Sequence, residues 1–481
     1  MVKAIAKHSE NKWAILAVLA VAQFMVVLDI AIVNVALPSI ASDLHFAGND
    51  LQWVITAYTL TFGGFLLLGG RASDLYGRRK IFLAGVFAFT VASFLCGMAA
   101  TDTQLIIARA VQGIAAAVMS PAALSIVLAE FKEGKERNAA MGVWAAVASG
   151  GAAVGVLLGG ILTQYLDWRW NFFVNVPVGI AVVAIGYYLL PKHIGEEGKK
   201  IGLDLPGAVL ATGGLMALVY GLSRAPAEGW DSSKVWGFIS AGIVLLVLFV
   251  VNEARVKQPL MPLSLFRIRN VLGANAAFLV IACTMFSMFF FLTLYIQTVL
   301  GYSPVKTGVS FLPVTFIIAV VSGIVANAVA KIGYKPPMAL GPFVLAVGLY
   351  VIAATMEVGG DYWHNVFPGL AIAASGMGLT FVSGTLAATS GVPKRLSGIA
   401  SGVLNTSQQV GGAIGLAILS AVAFSTITTE VASGTPQTAA QVDGYQAGLY
   451  VGIGLALLAA VVVLAVVKNQ IVDAKEALSA G

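Results

Sequence analysis

The sequence predicts an all-α polytopic membrane protein with fourteen transmembrane helices and both termini cytoplasmic. Three observations lead to that class. The first is composition: of 481 residues, 59% are hydrophobic and 10% are charged, whereas soluble domains carry about 25% charged residues. So few charges could not wet a soluble body of this length, and only two cysteines exclude a disulfide-rich scaffold. The second is run length. A spanning helix needs about 20 mostly apolar residues to cross a hydrocarbon core about 30 Å thick, and long unbroken runs of that kind recur along the chain. A β-barrel would show short alternating segments instead. The third is the placement of Lys and Arg, which fixes orientation.

In order, the apolar runs fall at 13–37, 51–70, 81–100, 104–128, 139–165, 172–191, 203–222, 235–251, 271–299, 305–329, 338–358, 365–389, 401–424 and 446–467. The first is too long for a signal peptide and continues through Asp29 to Pro38 without a small-residue cleavage site, so it is expected to remain as a span. Runs two and three flank a basic loop that holds Arg71, Arg78, Arg79 and Lys80. Further cations gather in every second loop, including Lys132 and Arg137, Arg255 and Lys257, Lys331 and Lys335, and Lys394 and Arg395. The intervening loops hold only Arg169, Arg224, Lys234 and Lys306. Basic loops face the cytoplasm, so the even number of spans returns the chain to the side on which it starts. The net charge of +6 follows from this bias and gives no reason to expect a nucleic-acid partner. The longest outer loop is expected at 425–445, which is rich in Thr, Ser, Gly and Gln.

The halves repeat. Gly70-Arg-Ala-Ser-Asp74-Leu-Tyr-Gly77-Arg78-Arg79-Lys80 separates runs two and three, and a worn copy, Ala330 to Lys335, separates runs ten and eleven. Eight spans lie between comparable points where a six-plus-six repeat needs six. The expected plan is therefore an N-terminal six-helix bundle at 1–191, two inserted helices with polar linkers at 192–270, and a C-terminal six-helix bundle with its tail at 271–481. The linker at 192–202 leads into the insert and 252–270 leads out.

Two charges remain inside spans. Asp29 sits nine residues before Pro38, about 13 Å below the outer surface at 1.5 Å per residue. Arg109 sits seven residues after Asp102, about 10 Å deep. A carboxylate in a bilayer costs about 3 kcal/mol on insertion scales and needs a partner or a proton. The matching depths predict an Asp29–Arg109 interaction, direct or through water. Burial raises a carboxyl pKa and an opposite charge lowers it, so such a pair suits a group that loads and releases protons. A static salt bridge is the blander alternative. Gln112, Gly113 and Ala116 share the helix face of Arg109. Glu130 and Glu357, near helix ends, are secondary proton candidates. Asp74 in the basic loop is a candidate gate acid beside Gly70, Gly77, Arg78 and Arg79; a topogenic cluster would not need that spacing. Gly151, Gly155 and Gly159 recur every four residues and, with Gly160, allow close helix approach, whether for packing alone or for sliding. Uncharged polar and aromatic groups within spans are candidates for a substrate cavity: Asn34, Tyr58, Asn175, Asn275, Phe290, Tyr295, Gln297, Asn405, Gln408 and Gln409. Helices also use Asn and Gln to bind one another. Cys96 and Cys283 fall within spans and are not expected to pair, and the four histidines show no metal-ligand spacing. No Walker phosphate loop appears, so neither a metal nor a cofactor is expected. No nucleophile–base constellation is visible, and no enzyme activity is expected.

These motifs together resemble the major facilitator superfamily, in its 14-span drug–proton antiporter branch. Gly70 to Lys80 is similar to the family loop between spans 2 and 3. Arg109-Ala-Val-Gln112-Gly113 resembles the span-4 motif assigned to proton coupling, Gly151 to Gly160 the span-5 motif, and Leu28 to Pro38 the span-1 motif. Trp168 to Pro177, Tyr295 to Pro304 and Ser397 to Gly415 extend the likeness over nearly the whole chain. Val156 stands where the span-5 pattern usually has proline, and Ala330 where the second loop copy would have its acid. The resemblance implies the major facilitator fold, in the cell (inner or plasma) membrane, working as a monomer. It implies efflux of small amphipathic, lipophilic compounds driven by inward proton flow through Asp29 and Arg109. A lipid or siderophore exporter of the same fold is the alternative within transport. A non-transporting sensor or scaffold is the alternative of another class, although a scaffold has no need for Asp29 and Arg109.

Overall fold

The computed structural model describes residues 2–46, 50–131, 134–191, 203–393 and 396–471, with the side chains of 2–11, 135, 138, 145, 148 and 149 left outside the description. The linker at 192–202 and the inner-loop cations Lys132, Lys394 and Arg395 lie outside the described residues. The described chain is helical throughout. It runs as α1 (Val2–Asp43), α2 (Trp53–Tyr76), α3 (Arg78–Gly97), α4 (Asp102–Glu130), α5 (Lys135–Tyr165), α6 (Trp170–Phe173), α7 (Asn175–Leu189), α8 (Leu205–Glu228) and α9 (Ser233–Arg255). It continues as α10 (Arg269–Leu294), α11 (Pro304–Ile332), α12 (Lys335–Thr355), α13 (Tyr362–Asn365), α14 (Phe367–Thr389), α15 (Ser397–Ala432) and α16 (Gln437–Val466). A short 3-10 turn, Leu263–Arg267, precedes α10, and a π-helical turn, Tyr295–Val299, extends it. Among the described residues, 13 helical segments are long and apolar enough to cross a membrane, α6–α7 counting as one. α5, with 31 residues, is long enough as well.

Backbone polarity explains this uniformity. In lipid every N–H and C=O must be satisfied within its own segment, which the helix does. Side-chain hydroxyls follow the same rule: Thr90, Ser287 and Thr380 each donate to the carbonyl four residues earlier. Helix ends carry local signals. Thr101 accepts from Gln104 N at 3.2 Å at the start of α4, and Ser303 accepts from Lys306 N at 3.4 Å at the start of α11.

α1 to α7 form one bundle, in which α2 lies on α4, α1 on α5, and α3 on α4 and α7. α10 to α16 form the second, in which α12 lies on α14 and α16, and α10 on α15 and α16. The repeat is visible at the inner turns. Gly77 ends α2 at φ 95° and Gly333 ends α11 at φ 79°, values that glycine alone adopts without strain. α8 and α9 pack on each other, and α8 rests on α2 and α15, outside both bundles.

The bundles meet along α2 with α15 and α5 with α11. The outer half of that seam is tight. Gln297 Nε2 donates to Val35 O at 2.8 Å and Val305 N donates to Gln164 Oε1 at 3.1 Å. A Cβ on Gly160 would meet Pro304 O at 2.6 Å, and one on Gly308 would meet Val156 O. Midway, Thr406 donates to Gly63 O at 3.2 Å. On the inner half, a Cβ added to Gly142 or Gly150 of α5, or to Gly323 of α11, would meet nothing within 4 Å. Among the described residues the seam is thus tight between α5 and α11 on its outer half, whereas on the inner half α2 still meets α15, where a Cβ on Gly402 would lie 2.8 Å from Leu67 Cδ2.

Two expectations are corrected. The stretch 425–445 is not a long loop: α15 continues to Ala432 and α16 begins at Gln437. Its threonines support the helix, since Thr428 and Thr429 donate to carbonyls four residues earlier. A helix that leaves the bilayer needs no apolar surface, so polarity there marked water rather than a turn. The sixth span is interrupted, with α6 and α7 meeting at Val174.

Candidate functional site

The two charges left inside spans meet. Arg109 Nη1 donates to Asp29 Oδ2 at 2.5 Å, with side chains 2% and 0% exposed. The pair sits within a polar cluster drawn from several helices of the first bundle. Gln112, one turn after Arg109, accepts from Arg109 Nη1 at 2.6 Å through Oε1 and donates from Nε2 to Asp29 Oδ1 at 2.8 Å. Its amide oxygen thus faces the cation and its amide nitrogen the anion. Asn175 Nδ2 donates to Asp29 Oδ1 at 3.2 Å from α7. Ser93 of α3 accepts from Gln112 at 2.7 Å and from Asn175 at 3.4 Å.

Arg109 has anchors that do not involve Asp29. Its Nε donates to Val54 O on α2 at 2.9 Å. Its guanidinium lies 4.3 Å from the Tyr58 ring centroid and 5.7 Å from that of Phe172, a cation–π arrangement that strengthens when desolvated. Charge-assisted hydrogen bonds of this kind are the strong ones, and the planar guanidinium fork makes several at once. The carboxylate, in turn, receives hydrogen bonds from Arg109, Gln112 and Asn175 among the described residues. If Asp29 takes up a proton, Arg109 therefore remains held in place.

Glycine spacing brings α5 against the helix that carries Asp29. A Cβ on Gly151 would lie 3.1 Å from Val27 Cγ1, one on Gly155 would lie 3.1 Å from Leu28 O, and one on Gly159 would lie 2.7 Å from Ile32 O. The three form one face toward α1, while Gly160 turns to α11 across the seam. Gly113 faces the Tyr58 carbonyl and Thr61 on α2, so Arg109 and Tyr58 are held close by the same device.

The inner loop is arranged differently. Asp74 is 61% exposed in its side chain and pairs with Arg78 at 3.5 Å within its own motif. Arg78 also donates to Ser125 O on α4 at 3.4 Å, and Arg79 donates to Tyr187 O on α7. A Cβ on Gly70 would lie 3.6 Å from Pro121 Cβ. Glu130 ends α4 on the cytoplasmic side and Glu357 lies exposed beyond α12, where it accepts from Asn365 at 3.2 Å. Neither joins the Asp29 cluster.

The cavity candidates separate into two groups. Tyr58, Asn175, Asn275, Phe290 and Tyr295 are buried inside bundles. Asn175 serves Asp29, Asn275 accepts from Ser407 at 3.0 Å, and Tyr295 donates to Glu357 O at 2.9 Å. Asn34, Gln297, Asn405, Gln408 and Gln409 keep exposed surface. Gln297 reaches Val35, and Gln409 lies against Gly63, so both stand on the seam between bundles. Val54 and Ser93 were missed as parts of the centre, since a backbone carbonyl and a serine in a span carry no distinguishing signal. Among the described residues, no group of three or more His, Cys, Asp or Glu could hold a metal ion.

Comparison with known proteins follows the same lines. Residues 19–416 match the family model described as Major Facilitator Superfamily. The chain is 40% identical to the puromycin resistance protein pur8 of Streptomyces alboniger, covering 98% of this chain and 94% of that protein. It is 38% identical to the cephamycin export protein CmcT of Amycolatopsis lactamdurans over 91% of this chain and 89% of that one. In fold it is similar to a bacterial homologue of the lysosomal transporter Spinster, with a TM-score of 0.67 at 14% identity, covering 94% of this chain and 96% of that one.

Proposed function

The chain belongs to the Major Facilitator Superfamily and is a multi-pass membrane transporter; from that premise we propose that it exports small amphipathic, lipophilic compounds in exchange for protons by alternating access. The observation that carries the reading is the buried Asp29–Arg109 pair. An intramembrane ionisable pair is costly and is retained chiefly where function needs it. Relatives named for puromycin resistance and cephamycin export support the substrate class.

The cycle follows from the geometry. With the outer seam closed, Asp29 is sealed against Arg109, Gln112 and Asn175. α1 carries both Asp29 and the Val35 carbonyl that holds Gln297. Those two positions are six residues apart, about 9 Å along the helix, so parting the outer seam moves the helix that bears the carboxylate. Protons from outside then reach Asp29. The neutral acid loses its charge-assisted bond, while Arg109 stays on Val54 and Tyr58. Return to the inward-open state delivers the proton inside and restores the pair. In the outward-facing state Asp74, which among the described residues pairs with Arg78, closes the inner side against the N-terminus of α15, where helix-dipole attraction favours an acid.

The test is transport in proteoliposomes with an imposed pH gradient, using puromycin, lipophilic dyes and lipid analogues. Gradient-driven movement of the drug or dye is expected. Movement of lipid analogues alone would replace the drug reading with lipid export, and no movement of any of them would remove the exporter reading.

A further inference from the structure

The inserted helices end at the cytoplasmic side in two carboxyl groups that the transport cycle does not use. Asp204 caps α8, accepting from Gly207 N at 2.9 Å and from Asn252 Nδ2 at 3.0 and 2.8 Å. Glu253, near the end of α9, accepts from Met261 N at 2.8 Å through Oε2. The residues are only 5% and 3% exposed. The second oxygen of Glu253, Oε1, is buried with no donor, and it shares the surroundings of Gly207 with Asp204. A Cβ built on Gly207 would lie 2.5 Å from Asp204 Oδ2 and 2.9 Å from Glu253 Oε1, so the two carboxyl oxygens flank the same glycine.

Two carboxylates cannot donate to one another, and a buried polar oxygen without a donor is costly. Two like charges at this range also disfavour joint ionisation. One proton removes both penalties. No described cation neutralises the site instead. Arg255, Lys257 and Arg267 are exposed. On α2, Arg71 donates to Gln258 and Asp74 pairs with Arg78. The inner end of α15, from Ser397 to Gln409, carries no charged residue. Arg224 and Glu228 of α8 lie at its opposite end, and Lys199 and Lys200 lie outside the described residues.

We propose that Asp204 and Glu253 hold one shared proton at the cytoplasmic end of the inserted helices, a proton site separate from Asp29. The proton fastens α8 to α9, and α9 carries the strap at 256–262 through the hydrogen bond that Met261 N donates to Glu253. The strap is in turn tied to α2 through Gln258 and Arg71, beside the Gly70–Lys80 loop. Loss of the proton leaves two facing carboxylates that push α9 away from α8, and the strap moves with Glu253. The inserted pair thereby reports cytoplasmic pH to one edge of the moving seam.

Infrared spectroscopy of the full chain in lipid nanodiscs, titrated with pH, tests this independently of transport. A protonated-carboxyl stretch that titrates is expected in the native protein and in Asp29→Asn, and its loss in both Asp204→Asn and Glu253→Gln. Absence of the band from the native protein, or its survival in either variant, would overturn the proposal. Thiol labelling at Lys257→Cys gives a second readout, because Cys96 and Cys283 are buried. Relative to a control thiol at Lys234→Cys, labelling should rise several-fold with pH in the native background and stay flat with Glu253→Gln. A ratio that does not change with pH would also overturn it.

Discussion

Arg109 holds Asp29 at 2.5 Å while donating its Nε to the Val54 carbonyl at 2.9 Å. The cation is therefore positioned by the neighbouring helix, and the anion by the cation together with Gln112 and Asn175. In the proposed cycle this asymmetry would let Asp29 change charge while Arg109 keeps its hold on Val54 and Tyr58. It also means that the two partners respond differently to substitution.

Arg109→Ala leaves an uncompensated buried carboxylate, and breaking a buried pair from one side costs about 3–5 kcal/mol. A large fall in thermal stability of the purified protein is expected. Arg109→Lys should recover only part of it, because a lysine cannot serve Asp29, Gln112 and Val54 with one planar fork. Full recovery by lysine would show that only the charge matters.

Gly160→Ala should open the outer seam, since its Cβ would meet Pro304 O at 2.6 Å and backbone must give way. Spin labels at Tyr165 and Lys306, both exposed, should shift to longer distances. Gly142→Ala, which would meet nothing within 4 Å, should leave that distribution unchanged. Equal behaviour of the two variants would contradict the seam described above.

Asp74→Asn should leave thermal stability nearly untouched, because an exposed ion pair contributes about 0–1 kcal/mol. It should slow transport and raise labelling of a thiol at Asn405→Cys, by weakening the outward-facing state. Unchanged transport and labelling would reduce Asp74 to a topological role.

The outer loop should not contribute to the pH dependence of transport. Asp361 caps α13, and its hydrogen bond from His364 holds its carboxyl below the ordinary 3.8. A depressed carboxyl contributes stability above its unfolded pKa and loses it only as pH falls through the folded value. Between about pH 5 and 8 the charge of the Asp361 carboxylate itself is therefore constant. Transport by Asp361→Asn should show the native midpoint in this range; a displaced midpoint would place the outer loop in the coupling.

Much of this molecule is legible in its sequence because a bilayer leaves few options. Apolar runs of spanning length must be helices, and cations in alternate loops must face one side. Asp29 and Arg109 stood out because charge at depth is rare, and their similar depths pointed to each other. Their supporting groups were less visible. Asn175 and Tyr58 read as cavity residues, since a polar or aromatic side chain in a span looks the same whether it faces a cavity or a buried ion. Asp204 and Glu253 were passed over because acids at helix ends are usually solvated, and only the packing of the insert buries them. The stretch 425–445 misled because polarity was taken for irregular structure.

The most direct test of the central claim compares the native protein with Asp29→Asn in proteoliposomes, measuring uptake of a transported lipophilic compound and internal pH together. The native protein should move protons and compound in opposite directions under an imposed pH gradient. Asp29→Asn should lose gradient-driven transport and proton movement while still exchanging labelled for unlabelled compound. Undiminished gradient-driven transport by Asp29→Asn would contradict the account.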